Sequence, residues 1–161
     1  MAYDGGWIAE NQIPLIDSSK ADTVLKYAFS MMGKPYKWGG AAPSTGFDCS
    51  GLLYWAYKKV GFTIIRSSQG LAKMGVGIDS TEACKGDVIL FKGTNANTTG
   101  VGHVGIVTNK KGERLTFIQC SSAKKHFGVV HTVFGGSYYV KRYLGIRRVL
   151  GIIPTDTTKH K

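Results

Sequence analysis

With 161 residues, of which 43% are hydrophobic and 19% charged, the chain has the make-up of one globular domain with a sizeable core. No stretch is apolar for long enough to cross a membrane as a helix, and three cysteines without C-x-x-C spacing exclude a zinc knuckle or a dithiol redox motif. The formal net charge of +11 favours anionic partners, whether nucleic acid, acidic lipid or an anionic cell-wall polymer, although basic pairs such as Lys58-Lys59 and Arg147-Arg148 read equally well as a solvated face.

The start of the chain, Met1-Ala2-Tyr3-Asp4-Gly5-Gly6, carries neither a basic segment nor an apolar run, so no secretory signal is expected in it as written. Residues 1–16 read as irregular, within an N-terminal arm of 1–20 that precedes the catalytic domain. Asp17 or Ser18 then caps a predicted helix running to Met32, with Val24, Leu25, Ala28, Phe29 and Met32 on one face and Gly33 as its stop. Residues 34–47 form a loop rich in Gly, Pro and Ser. A second helix is predicted from Cys49 to just before Gly61, its apolar stripe being Leu52, Leu53, Ala56, Tyr57 and Val60. Ser67 to Met74 predicts a short third helix.

Beyond that point the period changes. Strands are predicted at 87–91, 101–108, 114–120, 128–133 and 145–150. The polar loop 95–100 precedes His103, and 154–161 reads as a frayed tail. Helices first and strands afterwards predict one α+β domain at 21–153, with N-terminal helices packed on a central antiparallel sheet.

Two residues point to chemistry. Cys49 lies in Gly46-Phe47-Asp48-Cys49-Ser50-Gly51 at a predicted helix start, where the helix dipole favours a thiolate. His103 lies inside Val101-Gly102-His103-Val104-Gly105-Ile106, and a histidine beside a thiol can activate it as a nucleophile by holding the pair as thiolate and imidazolium. The plainer readings are a buried structural thiol and a satisfied sheet histidine, but polar neighbours around Cys49 and glycines around His103 favour access. Asp48 also reads simply as a helix cap. Cys49, His103, His126 and His131 lack metal-ligand spacing, so neither metal nor cofactor is expected. A Cys84–Cys120 disulfide stays open as an alternative.

Four segments in order, Tyr36-Lys37-Trp38-Gly39-Gly40, Phe47-Asp48-Cys49-Ser50-Gly51, Gly86-Asp87-Val88-Ile89-Leu90-Phe91 and Gly102-His103-Val104-Gly105-Ile106, resemble the NlpC-type (NLPC/P60) cell-wall cysteine peptidases. The resemblance runs from about residue 21 to residue 150. It implies a papain-like fold and cleavage of bacterial peptidoglycan stem peptides between γ-D-glutamate and a diamino acid such as meso-diaminopimelate. By the same resemblance Cys49 is the nucleophile, His103 the general base, and Gln119 the residue that orients the imidazole. The family often has a histidine at that third position. Glutamine can accept the ring N–H but adds no charge. His126 and His131 compete for the role.

Tyr36 matches a tyrosine near the family's oxyanion. Asp48 matches a residue that binds a free stem amine in some relatives. Arg66, Ser67 and Ser68 match a segment bordering the substrate groove, and Trp38 is a further candidate there.

The partners implied are peptidoglycan or muropeptide stems, with a monomer expected and no membrane insertion. No nucleic acid is expected, since no recognition helix, zinc finger or RNA-binding aromatic motif is present. Action outside the cytoplasm, whether secreted, periplasmic or at the envelope, requires a matured start or another export route. Other papain-like amidases or acyltransferases, or a non-catalytic wall-binding module, are the alternative functions.

Overall fold

The computed structural model describes residues 13–152, together with the backbone of two short paired strands, β1 (Ala2–Tyr3) and β2 (Gly6–Trp7). Residues 1, 4, 5 and 8–12 of the expected arm, and the expected tail at 154–161, lie outside the described residues. In chain order there follow β3 (Leu15–Ile16), α1 (Ser18–Ser30), β4 (Ala41–Ala42), β5 (Gly46–Phe47), α2 (Cys49–Lys58), α3 (Ser68–Leu71), β6 (Val76–Ile78), β7 (Val88–Lys92), β8 (Val101–Val107), β9 (Thr116–Ser121), β10 (Gly128–Val133), α4 (Gly136–Arg142), β11 (Tyr143–Arg148) and β12 (Gly151–Ile152).

Local chemistry sets the helix starts. Asp17 caps α1, its carboxylate accepting from Lys20 N at 3.1 Å, and Asp48 caps α2, accepting from Gly51 N at 2.7 Å. The buried stripe of α1 is Ala21, Val24, Leu25 and Ala28, at i, i+3, i+4 and i+7. The expected face began one turn too late. Phe29 lies around the helix with its ring edge on His131, and Met32 falls beyond the helix end at Ser30, so both are exposed. In α2 the expected stripe residues Leu52, Leu53, Ala56 and Tyr57 are fully buried, while Val60 lies past the helix end at Lys58 and is half-buried.

The six-stranded sheet has the order β10-β9-β8-β7-β11-β6, with every pairing antiparallel. Successive side chains of β7 face opposite ways. Val88 and Leu90 pack under the helices with Val104, Ile106, Ile118 and Cys120. Ile89 and Phe91 join a second cluster with Phe117, Val107 and Ile146, covered in part by Phe134, Tyr139 and Tyr143. Both faces of β7 are therefore dry, which is why its sequence is continuously apolar rather than alternating.

The α+β expectation holds, while local features depart from the sequence reading, among them the edge strand β6, which was not predicted. Helix α3 spans only four residues, with Ser67 as its cap. Helix α4 was not foreseen, no element having been predicted between the strands at 128–133 and 145–150. The three cysteines are free, so the Cys84–Cys120 alternative is not formed; Cys120 Sγ donates to the Phe47 carbonyl at 3.1 Å, while Cys84 lies 3.2 Å from Arg148.

A buried ion pair ties the sheet to the start of the chain. Arg148 donates to Asp87 through Nε at 2.9 Å and Nη2 at 2.8 Å, and to the Pro14 carbonyl at 2.9 Å. Asp87 also accepts from Cys84 N at 2.9 Å. Tyr57 OH donates to the neighbouring Gly86 carbonyl at 2.6 Å, which fixes α2 against β7. The Gly86-Asp87 segment thus sets the position of the helix that carries Cys49.

Candidate active site

The site forms where the start of α2 meets the ends of three strands. Asp48 organises this corner. Beyond capping α2, it accepts from Gly39 N at 3.2 Å and from Arg66 Nη2 at 3.0 Å, and lies 2.9 Å from Arg66 Nη1 in an ion pair. Such a two-point pair is directional as well as strong. Arg66 extends the link to Ser50 Oγ at 2.7 Å and to the Gly40 carbonyl at 3.1 Å. A β-carbon at Gly51 would run into that same Gly40 carbonyl, so the loop can close on the helix only over a glycine. A free stem amine at Asp48 would have to share a carboxylate that Arg66 already holds.

Cys49 occupies the first turn of α2. Burial pushes its thiol above the ordinary value, and the Asp48 charge adds to this. The backbone N–H groups of Val104, Ser50 and Cys49 itself work in the opposite sense, favouring the thiolate. Cys120, beneath it, is pushed up to about 12 by burial and is a packing thiol.

A bulge brings β8 to the cysteine. Phe91 pairs with His103 but Lys92 pairs with Val101, leaving Gly102 as the extra residue. The Gly102 carbonyl lies 4.0 Å from Cys49 Sγ. A β-carbon at Gly102 would come within 2.7 Å of Gly93, so this approach too requires glycine. His103 packs its ring against Phe91, at 6.0 Å between centroids.

Gln119 meets the histidine from β9, with its Oε1 2.5 Å from His103 Nε2. Gln119 Nε2 donates to Thr132 Oγ1 at 2.9 Å and to Tyr139 OH at 2.7 Å. In this arrangement Oε1 faces the ring, and since it can only accept, its partner His103 Nε2 carries the proton. Nδ1 is left as the basic atom. Burial lowers the His103 pKa, and the bond to Gln119 partly opposes this.

Cys49, His103 and Gln119 line one cleft, together with Tyr36. Burial raises the Tyr36 phenol, and Cys49 and Asp48 reinforce the shift, so the hydroxyl stays protonated and able to donate. Past Cys49 the cleft continues into a second arm lined by Trp38, Asp48, Arg66, Ser67 and Ser68. Trp38 is 85% exposed and forms the rim, while Ser67 is engaged in capping α3. The two competing histidines lie elsewhere. His131 bonds Thr108 Oγ1 at 2.8 Å, and His126 sits in an exposed turn. Among the described residues no group of three or more His, Cys, Asp or Glu could hold a metal ion.

Thr132 and Tyr139, which hold the Gln119 amide, were missed by sequence reasoning, as were Lys92 and Arg142 in the first arm. The only sequence signal was the tyrosine pair Tyr138-Tyr139, which is uninformative until α4 places it over the sheet.

The NlpC/P60 family model matches residues 33–148. Over 85 residues the chain is 44% identical to the bifunctional muramidase/DL-endopeptidase CwlT of Bacillus subtilis, covering 53% of this chain and 26% of that protein. It is 37% identical over 123 residues to the murein DD-endopeptidase MepH of Escherichia coli, covering 74% and 42%. It is 32% identical over 148 residues to the gamma-DL-glutamyl hydrolase of Bacillus subtilis, covering 91% and 33%. The chain therefore spans less than half the length of each of these relatives. Among solved structures, an NLP/P60 family protein from Staphylococcus aureus aligns with a TM-score of 0.74 at 30% identity, over 86% of this chain and 44% of that one.

Proposed function

Since the chain belongs to the NlpC/P60 family, we propose that it is a cysteine peptidase hydrolysing peptidoglycan stem peptides at the γ-D-glutamyl–diamino acid bond. The observation that carries this reading is the convergence on one cleft of a thiol at a helix start, a histidine with Nε2 committed, and the amide that commits it. With Nε2–H held by Gln119, His103 Nδ1 takes the proton of Cys49 as Sγ attacks the amide carbon. The oxyanion forms within reach of Tyr36, with backbone N–H at the start of α2 as a second donor. Nδ1–H then protonates the leaving nitrogen, the C–N bond breaks and a thioester remains. Water, deprotonated by the same Nδ1, attacks the thioester and releases the carboxylic acid and the thiol. Peptidoglycan lies outside the cytoplasmic membrane, and action at the envelope follows from this reading.

The test is incubation with L-Ala-γ-D-Glu-meso-diaminopimelate, its acetylmuramyl form and a D,D-cross-linked dimer, with products identified by mass. The expected products are those of cleavage after D-glutamate. The dimer is included because the Escherichia coli relative is named a DD-endopeptidase. Cleavage of the cross-link alone would move the reading to that bond.

The pH dependence follows from the two environments. Burial favours thiol and imidazole rather than the ion pair at rest, and His103 must be neutral to act as base. kcat/KM should therefore rise with pH through a midpoint below the ordinary histidine value of 6.5, and fall only above the ordinary thiol value of 9.0. In Gln119→Ala the bond that raises the His103 pKa is lost, and the acid limb should move lower still. An acid limb at or above pH 7 in the unmodified protein would contradict this assignment.

A further inference from the structure

The two arms of the cleft differ in charge. The arm with Asp48 holds an ion pair. The arm with His103 and Gln119 carries Lys92, at the end of β7, and Arg142, at the end of α4, and no Asp or Glu among its described lining residues. The cations Arg66, Lys85, Lys111 and Arg148 each face a carboxylate. Lys92 and Arg142 face none among the described residues.

Lys92 Nζ donates to the Ala96 carbonyl at 3.2 Å. Arg142 donates to the carbonyls of Gly93, Thr94 and Tyr138 at 3.2, 2.8 and 3.1 Å, and its guanidinium lies over the Tyr138 ring at 3.8 Å. Carbonyls and a ring orient these cations without neutralising them. The result is positive charge held in place on a cleft wall before any ligand arrives, which lowers the ordering cost of binding an anion.

The mechanism says which part of a substrate meets this wall. The leaving nitrogen takes its proton from His103, so whatever follows the scissile bond lies in the arm that His103 lines. We propose that Lys92 and Arg142 form an anion subsite that selects a leaving residue bearing a side-chain carboxylate, as in meso-diaminopimelate, over one ending in an amine or an amide. The inference rests on the peptidase reading for its orientation of the substrate. A lysine in the leaving position would bring an ammonium group towards two fixed cations without the carboxylate that accompanies it in meso-diaminopimelate. Amidation of the diaminopimelate side-chain carboxyl removes one negative charge at nearly constant shape.

Binding and turnover are measured separately. In the Cys49→Ala protein, calorimetry compares the L-Ala-γ-D-Glu stem ending in meso-diaminopimelate with the same stem side-chain-amidated. The acid form should bind about tenfold tighter, the scale of a charge-assisted contact. Adding Lys92→Gln or Arg142→Gln should weaken the acid form alone and bring the ratio towards one. A ratio of one before those substitutions, a ratio that survives both, or no binding of either stem overturns the subsite. Turnover by the unmodified protein then separates the two ideas. Cleavage without carboxylate preference keeps the peptidase and removes the subsite, while selective binding without cleavage keeps the subsite and removes the peptidase.

Discussion

Replacing Cys49 by alanine should lower kcat on the L-Ala-γ-D-Glu-meso-diaminopimelate stem by about 10^4-fold or more, with the affinity for the stem little changed. A nucleophile acting with its base as one unit carries an effect of this size, roughly 5 kcal/mol or above in barrier height. The small change in affinity follows because the side chain lost is compact and the cleft walls come from other residues. His103→Ala should be comparably severe, and the two substitutions together little worse than either alone. Gln119→Ala should fall between these and the unmodified enzyme, because the ring keeps its packing against Phe91 but loses its tautomer lock. Tyr139→Phe leaves Thr132 as the remaining acceptor for the Gln119 amide and should be milder than Gln119→Ala, about tenfold in kcat with KM unchanged. Single-turnover kinetics on each variant checks this ranking. A Cys49→Ala protein that retains more than about 1% of activity would remove the thiol from the reaction.

Arg148→Met should destabilise the domain by about 3–5 kcal/mol at neutral pH, because it leaves the Asp87 carboxylate buried without a counter-charge, with the neutral groups of Cys84 to satisfy it. For a domain of this size the melting temperature should fall by about 10 °C. The pair Asp87→Leu with Arg148→Met should recover part of the loss, since no charge is then buried without a partner. Burial already raises the Asp87 pKa, and Arg148 is the main group opposing that rise. In Arg148→Met the folded-state pKa should therefore climb further. The contribution of the protonated form is fully present below the unfolded value and lost as pH rises through the folded one. The penalty should accordingly be smaller in acid than at neutral pH. Thermal melts of the three proteins at two pH values provide the check. A single variant as stable as the double would place the role of this pair outside electrostatics.

The spacing of residues near one another in the chain determined a good deal. Asp17 and Asp48 announce their helices because a cap acts on backbone three residues away. The apolar stripe of α2 and the strand runs follow from periods of 3.6 and 2, and their order along the chain implies helices on one antiparallel sheet. Cys49 and His103 stood out because each sits in a local setting that suits exposed chemistry better than packing.

What lay beyond reach was every relation between distant segments. Asp48 with Arg66 and Asp87 with Arg148 join residues 18 and 61 positions apart. The lock on Gln119 comes from β10 and from an unforeseen helix. The cationic arm is assembled from β7 and α4. These depend on sheet order and on a one-residue bulge at Gly102, and a shift of one residue in register would turn each side chain to the other face. The sequence by itself thus marked Cys49 and His103 as groups suited to chemistry; only the tertiary structure decided which nitrogen of His103 meets Gln119 and which charges line each arm of the cleft, because hydrogen bonds and fields act over ångströms in space and carry no trace in chain spacing.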